Sequence, residues 1–136
     1  MLKRIDHIAI IVRNIEQALV FYRDTLGITI GEIKEVPTEQ ARIAFLSTGG
    51  PGGSEIELIE PTSTDSSLSK FLEKRGEGLH HICLEVDDID AALAEMQEKG
   101  TPVLDKQPRI AAEGRAIFIH PRAANGVLLE LVERNL

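Results

Sequence analysis

The sequence predicts an α+β fold in which two tandem βαβββ modules form a cupped mixed sheet with the helices outside. The prediction starts from a repeat: Asp6–Val12 resembles His80–Val86, with His7 aligned to His81 at an offset of 74 residues (81 − 7). Near the other end of each copy, Ile56–Glu60 resembles Leu129–Glu133 at an offset of 73 (129 − 56). Because the spacing is nearly constant along the chain, we interpret the sequence as a duplicated unit.

Each module is expected to begin with a strand followed by a helix. Alternating apolar residues predict strands over Ile5–Val12 and His81–Val86. Asn14 and Asp88 are suited to cap the helices that follow, and Gly27 and Gly100 are suited to end them. Apolar residues recur at helical spacing in both segments: Ile15, Ala18, Leu19, Tyr22 and Leu26 in the first, and Ile89, Ala92, Leu93 and Met96 in the second.

Three shorter strands are expected after each helix. They are Thr29–Val36, Ala41–Ser47 and Glu55–Glu60 in the first module, and Val103–Asp105, Arg115–His120 and Gly126–Val132 in the second. The glycine-rich stretch Thr48–Ser54 is a turn without the Gly-Lys-Ser/Thr ending of a phosphate-binding loop. The predicted organisation is one domain over 1–136, with module one at 1–65, a connector helix at about 66–76 and module two at 77–136.

Composition restricts the class of protein. The chain has 136 residues, 43% of them hydrophobic, and a net charge of −7, which disfavours nucleic acid and anionic membranes as partners. No apolar run is long enough for a membrane helix, and Asp6 and His7 interrupt any secretory signal. The single cysteine, Cys83, excludes an internal disulfide. We therefore expect a cytoplasmic protein.

Four polar residues lie where the strand pattern predicts an apolar interior. Because side chains alternate between the faces of a strand, one face of each first strand is expected to face the helices. It carries Ile8, Ile10 and Val12 in the first module, and Ile82, Leu84 and Val86 in the second. The opposite faces then carry His7, Glu57, His81 and Glu130, two from each module at matching places in the repeat. A buried carboxylate is costly unless it is paired or binds a cation. Two imidazoles and two carboxylates therefore predict a site for one divalent ion with positions left open.

The remaining candidates have plainer interpretations. Cys83 shares the face of His81 but has no evident activating base, so we expect a packed thiol. His80 is expected to pack on the helix side. His120 either borders the site or simply ends a strand. No spacing singles out a Ser-His-Asp or Cys-His arrangement.

The chain resembles the vicinal oxygen chelate (glyoxalase/bleomycin-resistance/dioxygenase) superfamily, and within it most closely the methylmalonyl-CoA epimerases. The resemblance rests on segments that span nearly the whole sequence: Ile5–Ile10, Ile56–Pro61, Lys70–Ile82, Ile119–Arg122 and Gly126–Leu131. It implies a glyoxalase-type fold, with His7, Glu57, His81 and Glu130 on the metal-ligand positions. The strand pattern selects the same four residues.

The resemblance also implies a reaction. It would be inversion at the carbon between a thioester and a carboxylate in an acyl-CoA, with Co²⁺ preferred and Zn²⁺, Ni²⁺ or Mn²⁺ as alternatives, in a homodimer. Glu130 is implied as one acid/base. Some bacterial epimerases carry a second glutamate where this chain has Ala44, so Glu39, Glu85, His120 or a water relay are open for that role. Arg122 or Lys106 are either contacts for CoA phosphates or surface charges.

Three other functions compete with this one. A glyoxalase I-type lyase would use the same metal and the same proton transfer, but the Gly78–His81 and Gly126–Leu131 pieces are less typical of it. A metal-free binding protein of the same fold would lack the ligand set. An extradiol dioxygenase normally uses three ligands. We therefore expect a metal-dependent epimerase.

Overall fold

The computed structural model describes residues 1–50 and 52–134. The strands are β1 (Leu2–Ile11), β2 (Thr29–Val36), β3 (Ala41–Ser47), β4 (Glu55–Pro61), β5 (Gly78–Val86), β6 (Arg109–Ile110), β7 (Gly114–Ile119) and β8 (Leu129–Arg134). The α-helices are α1 (Ile15–Leu19), α2 (Ser67–Arg75) and α3 (Ile89–Glu98). Within the described part of the chain, no helix has the length and apolar character needed to cross a membrane.

Contacts divide the chain into two compact units. The N-terminal unit is His7–His80, and the C-terminal unit combines Met1–Asp6 with the chain from His81 onward. In the N-terminal unit the strand order is β2-β3-β4-β1, and in the C-terminal unit it is β5-β8-β7-β6. In both, the first strand of the repeat is parallel to the last, and the other pairs are antiparallel. The predicted βαβββ order is therefore present twice.

The two copies repeat their polar contacts as well as their strands. The backbone N–H of Ile15, the first residue of α1, donates to Glu60, and that of Ile89, the first of α3, donates to Glu133, each at 2.9 Å. A carboxylate there stabilises a helix N-terminus. The side chains of Asn14 and Asp88 cap the same helices, as predicted.

Helices α1 and α3 also carry equivalent ion pairs. Arg42 binds Glu16 on α1, and Arg115 binds Asp90 on α3. Hydrogen bonds from these arginines lower the pKa of both carboxyl groups below its ordinary value. Since both pairs are solvent-exposed, they add little to stability.

The predicted strand faces are largely confirmed. In the N-terminal unit, Val12, Ile15, Leu19 and Leu58 are buried in one cluster with Ile10 against it. In the C-terminal unit, Val86, Ile89, Leu93 and Leu131 form the equivalent cluster. The face opposite is equally buried at Ala9 and Ile11. Ile8 differs from the prediction, since it is 37% exposed.

Several predicted boundaries are wrong, and β1 and β5 each begin three residues earlier than predicted, at Leu2 and Gly78. The α-helix after Asn14 gives way at Val20 to a π-helical segment, Val20–Thr25, and Leu26 is exposed rather than packed. In place of a strand at Val103–Asp105, the structure has a single bridge from Val103 to Ile119, and the strand itself is β6. The last strand begins at Leu129 rather than Gly126. Pro51, in the predicted turn Thr48–Ser54, lies outside the described residues.

Candidate metal centre

In the N-terminal unit, His7 and Glu57 form a buried pair. His7 Nδ1 lies 3.1 Å from Glu57 Oε2. His7 is fully buried and Glu57 is 2% exposed. Strands β1 and β4 supply them, and their parallel pairing sets Ala9 opposite Glu57. His7, two residues before Ala9, projects from the same face of β1 and so reaches the glutamate.

The C-terminal unit carries the equivalent pair. His81 Nε2 lies 3.0 Å from Glu130 Oε1, and both side chains are buried. Strand β5 is parallel to β8 with Cys83 opposite Glu130, and His81 stands two residues before Cys83. The register is thus the same in both units, which explains why the repeat places a histidine beside a glutamate twice.

The donor set in each unit suits a divalent ion. Neighbouring ligands in an octahedral site with bonds of about 2.1 Å lie about 3.0 Å apart. The imidazole–carboxylate separations of 3.1 Å and 3.0 Å match that spacing. Mixed nitrogen and oxygen donors suit Co²⁺, Zn²⁺, Ni²⁺ or Mn²⁺. A carboxylate this deeply buried needs a positive partner, and bound metal would supply one.

Arg109 is a polar residue at Glu130 that sequence reasoning missed. Its Nη2 lies 2.7 Å from Glu130 Oε2, so Glu130 has His81 at one oxygen and a guanidinium at the other. The guanidinium also stacks over the Phe118 ring, 4.2 Å from its centroid. In the sequence, Arg109 is marked only by its positive charge. The residues around it do not alternate between apolar and polar, so no strand pattern places it near Glu130.

A second buried charge belongs to the same unit. Asp6 is fully buried and accepts two hydrogen bonds from Arg134, at 2.6 Å and 3.0 Å. Arg4 lies 3.6 Å from Asp6 and donates to Glu85 at 2.9 Å. These contacts fix the first residues of β1 within the C-terminal unit.

The other predicted candidates are placed as follows. Cys83 is fully buried, and burial together with the charge of Glu130 raises the pKa of its thiol far above the ordinary value. This confirms a packed, unreactive thiol. His80 packs edge-on against Phe71 of α2, 4.7 Å between centroids. His120 Nδ1 accepts the backbone N–H of Arg122, which caps a 3-10 turn over Pro121–Ala124.

The candidates for the second acid/base and for CoA contacts differ in their surroundings. Glu85 accepts a hydrogen bond from Arg4 at 2.9 Å and lies 3.8 Å from Lys3. Glu39 is half-buried in a 3-10 turn after β2, and Ala44 is fully buried. The side chains of Arg122 and Lys106 are exposed.

Comparison with known proteins gives the family. Residues 6–118 match the Glyoxalase/Bleomycin resistance protein/Dioxygenase superfamily. The chain is 37% identical to mouse mitochondrial methylmalonyl-CoA epimerase, over 96% of this chain and 72% of that protein. It is 39% identical to ethylmalonyl-CoA/methylmalonyl-CoA epimerase of Cereibacter sphaeroides, over 96% of this chain and 98% of that protein.

Solved structures agree with the sequence relatives. A Streptomyces coelicolor methylmalonyl-CoA epimerase variant in complex with 2-nitronate-propionyl-CoA is similar over 100% of both chains, with a TM-score of 0.91 and 38% identity. A methylmalonyl-CoA epimerase in complex with methylmalonyl-CoA and NH4+ covers 98% of this chain and 96% of its own, with a TM-score of 0.90 and 39% identity. The predicted fold class is confirmed. The chain belongs to the glyoxalase/bleomycin resistance/dioxygenase superfamily and, within it, to the methylmalonyl-CoA epimerase family.

Proposed function

We propose that the protein is a metal-dependent methylmalonyl-CoA epimerase, which inverts the carbon between the thioester and the free carboxylate of its substrate. The observation that carries this proposal is the repeated buried His–Glu pair, in a chain that is 36–39% identical to named epimerases over nearly its whole length. A metal-free binding protein would not need two buried imidazole–carboxylate pairs.

We propose His7, Glu57, His81 and Glu130 as the four ligands of one divalent ion. Co²⁺ is the ion we favour, with Zn²⁺, Ni²⁺ and Mn²⁺ as alternatives. Four protein ligands leave two positions of an octahedral ion open, which suits a substrate with two oxygen atoms. When bound, the ion would act as a Lewis acid for the oxygen on which negative charge develops.

Glu130 is the proposed acid/base on one face of the substrate carbon. Glu130 is 2% exposed, so bulk water is kept from the proton it would accept. A positioned carboxylate contributes to proton abstraction next to a carbonyl by general base catalysis. His81 and Arg109 hold the two oxygens of this carboxylate in place.

Inversion needs a proton donor on the opposite face as well. With Ala44 at the position of the family's second glutamate, Glu39, Glu85, His120 or a water relay are the choices for this donor. His120 accepts a backbone N–H at Nδ1, so Nε2 is the ring atom that would carry the proton.

The proposed partners and location follow from the substrate and from the family. An acyl-CoA thioester is an intracellular metabolite, which supports the expected cytoplasmic location. The homodimer is proposed from the resemblance to the epimerase family.

Deuterium exchange tests the proposed reaction. Incubated with one epimer of methylmalonyl-CoA in deuterated water, the protein is expected to incorporate deuterium at the α-carbon and produce both epimers. Ethylmalonyl-CoA is the parallel substrate, because the Cereibacter relative is named for both. Proton NMR measures the exchange, against a sample without protein. The absence of protein-dependent exchange, with turnover of a glutathione hemithioacetal instead, would favour the glyoxalase I-type lyase.

Metal analysis tests the ligand assignment. We expect one divalent ion per chain after gentle purification, loss of epimerisation after chelation, and recovery on addition of Co²⁺. Elemental mass spectrometry gives the stoichiometry. Two ions per chain would mean that each His–Glu pair binds its own ion, and full activity of the chelated protein would exclude a catalytic metal.

A further inference from the structure

The two units differ in what surrounds their equivalent glutamates. Glu57 is paired across the sheet with Phe45, and Glu130 with Phe118. Two residues before each phenylalanine, Ile43 is paired with Lys34, and Ala116 with Arg109. Lys34 and Arg109 therefore occupy the same place in the register. Lys34 is exposed, whereas Arg109 is directed onto Glu130.

Arg109 is held in that orientation by two neighbours. Its guanidinium stacks on the ring of Phe118, which also contacts His81 edge-on with centroids 5.2 Å apart. Asp105 Oδ2 lies 3.6 Å from Arg109 Nη1 and accepts the backbone N–H of Phe118 at 2.6 Å. The planar guanidinium is thus fixed between an aromatic ring and a carboxylate that is itself anchored.

As a result, the two carboxylate oxygens of Glu130 have different partners. Oε2 accepts a hydrogen bond from Arg109 at 2.7 Å, and Oε1 is the oxygen beside His81. Charge-assisted hydrogen bonds to a carboxylate are short and strong, and they restrict rotation about its terminal bond. Only Oε1 is then presented on the side of the imidazole.

We propose that Arg109 is a positioning residue for Glu130, which holds Oε2 so that Oε1 is oriented as a metal ligand and proton acceptor. This inference rests on the proposed function. Arg109 itself takes no part in the proton transfer. Hydrogen bonds to ligating carboxylates typically change metal affinity by about 10- to 100-fold when they are removed.

The test compares R109A and R109K with K34A, the variant at the matching position of the other unit. Calorimetric titration of the metal-free proteins with Co²⁺ is expected to show about 10- to 100-fold weaker binding for R109A. It should show partial recovery for R109K, and no change for K34A. The visible spectrum of bound Co²⁺ should change in R109A, and kcat should fall more than KM rises. If R109A does not fold, R109Q replaces it.

The possible results separate this inference from the proposed function. Co²⁺ affinity and spectrum in R109A equal to wild type, or tighter binding, would overturn the positioning role while leaving the epimerase intact. Equal losses in R109A and K34A would indicate a general effect of surface charge and would also overturn it. A wild-type protein that binds no Co²⁺ would contradict the metal site itself, and the inference would fail with it.

Discussion

The E130Q variant is expected to lose about 10²- to 10⁴-fold in kcat for epimerisation, the range that general acid–base catalysis contributes. Glutamine keeps the size of Glu130 and one oxygen beside His81, but it cannot accept a proton from the substrate. The contact with Arg109 would also cease to be an ion pair, because the acceptor is then neutral. A coupled assay for the second epimer measures kcat, and deuterium exchange at the α-carbon shows whether proton abstraction is the step affected.

The matched control is E57Q, in the equivalent pair of the N-terminal unit. Glu57 is proposed as a ligand and not as a base, so an amide oxygen there retains the ligating atom and the loss in kcat should be much smaller. If both variants lose kcat equally while still binding one ion, Glu130 is a ligand alone and the base lies elsewhere.

The second large effect concerns stability. We expect R134M to lower the free energy of unfolding by about 3 kcal/mol, near the lower end of the cost of breaking a buried ion pair. The carboxylate of Asp6 is fully buried and receives two hydrogen bonds from Arg134. Arg4, 3.6 Å away, would remain and limit the loss. Urea unfolding followed by circular dichroism gives the free energy.

Two further variants make this measurement specific. R115M removes an arginine from an exposed pair with Asp90 and should change the unfolding midpoint little. The double variant D6N/R134M removes the buried charge together with its partner, so it should be more stable than R134M. The single variant D6N completes the cycle. If the loss of unfolding free energy in D6N/R134M equals the sum of the losses in D6N and R134M, the two groups are not coupled.

Much of the fold could be predicted because the repeat constrains each element twice. Asn14 and Asp88 were identified as caps from residue type and spacing, and both cap their helices. Because successive side chains of a strand point to opposite faces, the sequence places Ile10, Val12, Leu84 and Val86 on the helix side, where they pack. The same alternation put His7 with Glu57, and His81 with Glu130, on one face of each unit.

The features that were missed depend on contacts distant in sequence or on irregular backbone. Arg109 lies in a two-residue strand and meets Glu130 from 21 positions away, which no local pattern reports. In the segment after α1, the N–H of Leu26 bonds to the carbonyl of Phe21, five residues earlier. The extra residue within this hydrogen-bonded turn rotates Leu26 away from the stripe that ideal helical spacing predicts.

The pairing of Asp6 with Arg134 has a consequence for the newly made polypeptide. The two residues are 128 positions apart. During synthesis on a ribosome, the carboxylate of Asp6 stays hydrated until the chain has been made as far as Arg134. Contacts of such long sequence separation form late and slow the final consolidation. A nascent chain stalled before Arg134 would therefore lack the cation that pairs with Asp6 in β1.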